Sequence, residues 1–181
     1  MTGTVADQEI DDHLFRVCCL LKELPFPCIA AIEGPCIGGA LSVSLSCDAR
    51  VASEGAYFEI PAIRLGLIYN PDSVALLWSR LGYAALSRLL LLGERWNAET
   101  ALQVGLVGWV VPEGCAHEKA LGIVRKILNA PTAFSATKSL LLAIENGEKN
   151  LSKWKEIRKE ILCSQERKDA VLEVKKRLEI S

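Results

Sequence analysis

Between Cys28 and Cys47 the sequence leaves little freedom of fold. The run CIAAIE (28–33) is apolar almost throughout, with Pro25 and Pro27 before it and Gly34 and Pro35 after it. Six residues are few for a helix, and continuous rather than alternating apolarity is the pattern of a strand covered on both faces. A glycine pair, Gly38 and Gly39, then opens ALSVSLSC (40–47), a short buried helix by its pattern, ended by Asp48. Two more strand patterns follow, ARVAS (49–53) and AYFEI (56–60), with Glu54 and Gly55 between them. Strands that need cover on both faces, joined through a buried helix, predict a layered α/β fold.

The flanks are helical. Ile10, Leu14, Val17, Leu21 and Leu24 recur at three- and four-residue steps, which predicts a helix over 7–24 with those residues inward. Further helices are expected at 73–81, 83–92 and 98–104, the last capped by Asn97 and ended by Gly105. LVGWVV (106–111) reads as a strand. Beyond Pro112 the pattern is helical only, at 114–129, 132–144, 150–163 and 164–178. The expectation is therefore an α/β core over 1–112 and a helical C-terminal region over 113–181.

Composition excludes several classes. Half of the 181 residues are apolar, and mean hydropathy is positive at +0.23, so the chain can build a core and is not intrinsically disordered. The net charge of −1 and only 6 % aromatics argue against a polycation or base-stacking surface for nucleic acid. Residues 148–181 carry ten Lys/Arg against seven Asp/Glu, a mildly basic tail that reads as a solvated helix face or a meeting place for an anion. Seven cysteines, no C-x-x-C and two histidines give neither zinc-ligand spacing nor a disulfide framework, and point to a reducing compartment. MTGTVADQEIDD (1–12) lacks the features of a signal or transit peptide, the end LEIS (178–181) is not a peroxisomal tripeptide, and no stretch of 18 apolar residues occurs. No membrane and no nucleic-acid partner is expected, and the setting expected is the cytoplasm, with a mitochondrial or peroxisomal matrix as alternatives.

The glycine pair carries the chemistry. N–H groups in the first turn of a helix have no intrahelical partner, and the aligned peptide dipoles make that end positive. Without side chains, Gly38 and Gly39 let a carbonyl oxygen come close. The pair is either half of an oxyanion hole or a device for tight strand–helix packing, and two glycines alone favour the packing reading.

Six segments together narrow the reading: PCIAAIEGPCIGGAL (27–41), SCDARVAS (46–53), FEIPAIRLGLI (58–68), LLGER (91–95), AETALQVGLVGWVVP (98–112) and CSQERKDAV (163–171). They resemble the enoyl-CoA hydratase/isomerase (crotonase) superfamily, densely from Leu24 to Pro112 and more loosely beyond. The resemblance implies a right-handed spiral of ββα units with a helical C-terminal extension, assembled as a trimer or hexamer. It implies an acyl-CoA substrate whose thioester oxygen is held by two backbone N–H groups, one of them from Gly39, with no cofactor beyond the coenzyme A of the substrate itself. Ile37, Gly38, Ser42, Phe58 and Ala62 match positions around the acyl site. The C-terminal helices are expected at subunit contacts and over the acyl pocket, with Lys176 or Lys175 toward a CoA phosphate.

The sequence departs from the family pattern twice. Where hydratases of the family carry two glutamates, this chain has Ser42 and Ala62. Neither is a base at neutral pH. Ser42 reads most simply as a hydroxyl bonded to a helix carbonyl. Asn70 matches the position of a catalytic aspartate in some relatives, and Asp72 lies two residues on. Both are candidate catalytic groups, and both equally suit a turn and helix cap. On a strand Phe58 and Glu59 point oppositely, so Phe58 is expected inward, with Glu59 a further candidate acid. Second, the upstream strands of the family have no counterpart in 1–12. Either the chain is a shortened product, or a second chain supplies that half, or CoA binding has been lost. Three functions follow: an isomerase- or lyase-type acyl-CoA enzyme that is not a two-glutamate hydratase, a non-catalytic or regulatory subunit of such an oligomer, and a serine peptidase with Ser42 as nucleophile and His117 as its base.

Overall fold

The structure is a computed structural model that describes residues 5–178, with side chains for 9–176 and 178. It opens with α1 (Val5–Glu23), which Pro25 and Pro27 end. There follow β1 (Ile29–Ile32), β2 (Pro35–Ile37), α2 (Gly39–Leu45), β3 (Ala49–Ser53), β4 (Tyr57–Glu59), a 3-10 helix (Pro61–Leu65), α3 (Pro71–Leu90), β5 (Trp96–Asn97), α4 (Ala98–Gln103) and β6 (Trp109–Val111). Four helices complete the chain: α5 (Ala116–Ile127), α6 (Pro131–Glu145), α7 (Ser152–Cys163) and α8 (Gln165–Leu178).

The first four strands alternate between two sheets, after which β5 joins the second and β6 the first. β1, β3 and β6 form one, parallel throughout, with Ile29 opposite Ala49 and Val51 opposite Trp109. β2, β4 and β5 form the other, in which β4 pairs in parallel with β2 and antiparallel with β5. The first two passages, β1–β2–α2 and β3–β4–α3, each lay one strand in each sheet and then a helix, the ββα unit the resemblance implies; in the third, α4 comes between β5 and β6. Two short strands were not legible. β2 sits where Gly34 and Pro35 suggest only a turn, and β5 is two residues long.

The chain forms two compact units. One holds the residues up to Leu24 together with Cys28–Gly122; the other holds Pro25–Pro27 and the chain from Ile123 onward. The core of the first gathers Leu41 and Leu45 of α2, Phe58, Ile60, Leu77, Leu89, Trp96 and Leu106, all essentially inaccessible. Each such side chain contributes roughly 1.5–3 kcal/mol of transfer free energy. Glu33 accepts hydrogen bonds from the N–H groups of Gly114 and Ala116 (3.0 and 2.8 Å), which puts an acid at the start of α5. In the second unit the Glu166 carboxylate of α8 does the same for α6, taking the N–H groups of Thr132 and Ala133.

Three expectations change. The helices expected at 73–81 and 83–92 are continuous in α3 except at Gly82, whose φ of 69° and ψ of 176° break the helix between them. The strand expected at 106–111 begins only at Trp109, because the N–H groups of Leu106 and Val107 both turn back to the Ala101 carbonyl. On α1 the inward stripe is not the one expected: Ile10 and Val17 are exposed, while Cys18 is buried and Leu14 half-buried.

Candidate functional site

Gly38 turns the chain from β2 into α2. Its φ of 56° and ψ of −121° lie where side-chain-bearing residues are strained. Its N–H donates to the Glu59 carbonyl (2.9 Å), and its own carbonyl accepts from Leu41 N–H (2.9 Å). Gly39 is the first residue of α2, with an N–H that has no carbonyl one turn back to bond. It has a packing reason to be glycine as well: a Cβ there would stand 2.7 Å from Leu14 Cδ2 on α1. The geometry supports the packing reading of the pair directly, through the close approach of Leu14 on α1 to Gly39.

One turn further along α2, Ser42 is almost fully buried, and its Oγ lies 2.8 Å from the Tyr69 hydroxyl. This corrects the simple reading of Ser42. The hydroxyls that bond helix carbonyls are its neighbours, Ser44 to Leu41 O and Ser46 to Ser42 O. Tyr69 is half-buried between the 3-10 helix and α3. Burial pushes its phenol above the ordinary value of 10.0, although hydrogen bonds from Ser42 and Ser73 oppose the shift. The phenol is therefore neutral at physiological pH. Tyr69 escaped sequence reasoning because 27 residues separate it from Ser42; the hydroxyl in the loop after LGLI (65–68) was the only clue.

The remaining candidates scatter. Ile37 ends β2 and is partly exposed, while Phe58 and Ala62 are buried in the core of the same unit. The Asn70 side chain accepts from Ser73 N–H (3.0 Å) as the N-cap of α3, and Asp72 is exposed in the first turn of that helix. Asn70 thus caps the helix, and Asp72 only places a charge in its first turn. Lys176 is exposed on α8 in the second unit, and Lys175 borders an apolar groove there with Ala133, Ile161 and Val171. His117 is exposed on α5, and the hydroxyl partner of Ser42 is Tyr69, so no Ser42–His117 pair is formed among the described residues.

Phe58 is inward as expected, but Glu59 does not point to solvent. It is 5 % exposed, and both of its oxygens are taken, Oε2 by Arg95 Nε (2.6 Å) and Oε1 by Arg64. Arg95 also lies over the Tyr57 ring, 4.4 Å from its centroid. A carboxylate so engaged is a structural anchor rather than a base.

Comparison with known proteins agrees with this architecture. The family model for enoyl-CoA hydratase/isomerase matches residues 2–176. A protein of Arabidopsis thaliana designated "Probable enoyl-CoA hydratase 2, mitochondrial" is 34 % identical over 147 residues, which are 80 % of this chain and 47 % of the relative. Among solved structures, Pseudomonas aeruginosa DspI aligns with a TM-score of 0.86 at 28 % identity, over 97 % of this chain and 69 % of its own. The enoyl-CoA hydratase of Bacillus anthracis aligns with a TM-score of 0.78 at 28 % identity, over 97 % and 70 %. The chain spans about half the length of the curated relatives it matches. With the glycine turn, the two-sheet coil and the matched segments in place, this chain belongs to the enoyl-CoA hydratase/isomerase family, the crotonase superfamily.

Proposed function

We propose that this chain binds an acyl-CoA thioester and stabilises the enolate form of its acyl group, without hydrating a double bond. In this reading the Gly39 N–H holds the thioester oxygen, and the Ser42–Tyr69 hydroxyl pair delivers a proton beside it. The observation that carries the reading is the Gly38–Gly39 turn into α2, one helical turn from a part-buried contact between two hydroxyls.

The residue chemistry narrows the reaction. Hydration requires a base that takes a proton from water, and the two positions where the family places glutamates hold Ser42 and Ala62. A serine and a phenol with a raised pKa are neutral at pH 7 and donate rather than accept a proton. Glu59 is bound to two guanidiniums. Loss of CO2 from a 2-carboxyacyl thioester asks least of such a site. The C–C bonding pair becomes the enolate as CO2 leaves, so no base is needed. An amide then stabilises the oxyanion, and a neutral hydroxyl protonates the carbon. The product class is a lyase product, an acyl-CoA shortened by one carboxyl. Lys176 is the candidate for a CoA phosphate, and coenzyme A enters only as part of the substrate.

The test is titration of the purified chain with crotonyl-CoA and a malonyl-type CoA thioester, followed by product analysis. Binding of both, CO2 from the second and no 3-hydroxyacyl product from the first support the proposal. Hydration of crotonyl-CoA overturns it. Absence of any binding supports the second reading, a non-catalytic or regulatory subunit, which Ser42 and Ala62 at the two glutamate positions also fit. Native mass of the assembly separates a homotrimer or hexamer from a heteromer in which another chain completes the fold. No single helix among the described residues is long and apolar enough to cross a membrane. Free thiols at all seven cysteines suit a reducing compartment such as the cytoplasm, which cell fractionation checks.

A further inference from the structure

We propose that Cys28 and Cys47 form an oxidisable thiol pair that closes to an intramolecular disulfide when the protein meets a peroxide. The two sulfurs lie 3.5 Å apart, with the Cys28 thiol directed at Cys47 Sγ. A disulfide needs about 2.05 Å, a closure that side-chain torsions can supply. The backbones on either side are already fixed together. The Cys28 N–H donates to the Asp48 carboxylate at 2.7 Å, the Asp48 N–H donates to the Cys28 carbonyl at 2.7 Å, and the next residues, Ile29 and Ala49, are partners in the β1–β3 ladder. Both cysteines are partly accessible, whereas Cys18 and Cys36 are buried.

The two sulfurs have different parts. Burial and the adjacent Cys28 thiol push Cys47 up to about 12, so Cys47 keeps its proton and is not the first to react. The Cys28 sulfur attacks one peroxide oxygen and gives up its proton. The O–O bond breaks, the departing hydroxide takes a proton and leaves as water, and Cys28 becomes a sulfenic acid. The Cys47 sulfur then attacks the Cys28 sulfur. The S–S bond forms as the S–O bond breaks, and the Cys47 proton leaves with the hydroxide as a second water. Two thiols lose two electrons, and one peroxide becomes two waters. The cross-link ties the entry to β1 to the end of α2, the helix whose other end carries Gly39.

The experiment is treatment of the full chain with hydrogen peroxide at neutral pH, read by intact mass, denatured thiol titration and peptide mapping. The expected result is loss of two hydrogens, a fall from seven titratable thiols to five, and a Cys28–Cys47 cross-linked peptide that dithiothreitol reverses. The melting midpoint of the oxidised form rises by roughly 5–10 °C. In Cys47→Ser, peroxide instead leaves one added oxygen on Cys28 that a sulfenic-acid probe traps. In Cys28→Ser no such adduct appears at Cys47. A cross-link joining other cysteines overturns the proposal, as does oxygen addition without any cross-link in the unsubstituted chain. So does oxidation of the exposed Cys163 while Cys28 and Cys47 stay reduced.

Discussion

Two part-buried polar contacts in the first unit are built in opposite ways. At the end of β4, the Glu59 carboxylate spends both oxygens on arginines, Arg64 from the 3-10 helix and Arg95 from the segment leading into β5. On α2, Ser42 meets only another hydroxyl, that of Tyr69. The first contact joins three elements and engages both oxygens of its acid with guanidiniums. The second carries no charge, and each of its oxygens keeps further donor or acceptor capacity. The difference teaches where an acid serves this fold. The chain holds a buried carboxylate where it braces structure, and a hydroxyl where the family resemblance puts a base.

Glu59→Ala tests the bracing side and carries the largest expected effect on stability. Removing one partner of a fully buried ion pair costs about 3–5 kcal/mol, but both guanidiniums here are about half exposed and regain water. The expected loss is therefore about 2 kcal/mol, a fall in melting midpoint of roughly 4–8 °C at this chain length. Acyl-CoA affinity per folded molecule is expected to hold. A variant that melts normally but loses binding would reverse the roles assigned to the two contacts.

Tyr69→Phe tests the chemical side. It leaves the Ser42 hydroxyl buried with one partner fewer, a stability cost of about 1 kcal/mol. Loss of a positioned proton donor lowers turnover by roughly 10²-fold or more, with affinity for the thioester little changed. Combined with Ser42→Ala, the second substitution adds far less than it does alone if the two hydroxyls act as one unit. Full additivity in that cycle breaks the pairing.

Much of the contrast between the two contacts was hidden in the sequence. Contiguous features were legible: β3 at 49–53, the Gly38–Gly39 opening of α2, the Asn97 cap of α4, whose side chain accepts from Thr100 N–H (2.8 Å), and the four C-terminal helices. Their determinants are apolar periodicity and turn residues within a few positions of one another. The two polar contacts join residues far apart, Ser42 with Tyr69 and Glu59 with Arg95, and no local spacing encodes such pairs. Strand alternation also misled at Glu59. Opposite faces of β4 are both covered, so inward and outward are not buried and exposed there.

Asn70 and Asp72 sharpen the same contrast from outside. If the hydroxyl pair is the chemical site, these two residues serve only α3. Asn70→Ala removes the hydrogen bond to Ser73 N–H and costs about 1 kcal/mol, a drop of roughly 2–4 °C in melting midpoint with turnover intact. Asp72→Asn removes a first-turn charge and costs only a few tenths of a kcal/mol. Steady-state kinetics on both variants decides the point. A large fall in turnover in Asp72→Asn would make that residue the base.

The smallest effect is in pH dependence, and its sign is fixed by Tyr69. Its folded pKa is raised above 10.0, mainly by burial. The unfolded chain therefore ionises first as pH rises. The stability that Tyr69 contributes is complete below about pH 10, falls as pH passes from the unfolded toward the folded value, and is gone above it. Denaturation of the unsubstituted chain and Tyr69→Phe should differ by a constant amount from pH 7 to about 9 and converge at higher pH. Turnover should follow the same logic. A neutral phenol stays protonated across that range, so the rate profile is flat on its acidic side, whereas a catalytic carboxylate would impose a limb near pH 4–5. Such a limb, retained in Glu59→Gln, would mean that an acid other than the arginine-bound one reaches the substrate, and the hydroxyl pair would lose its assigned role.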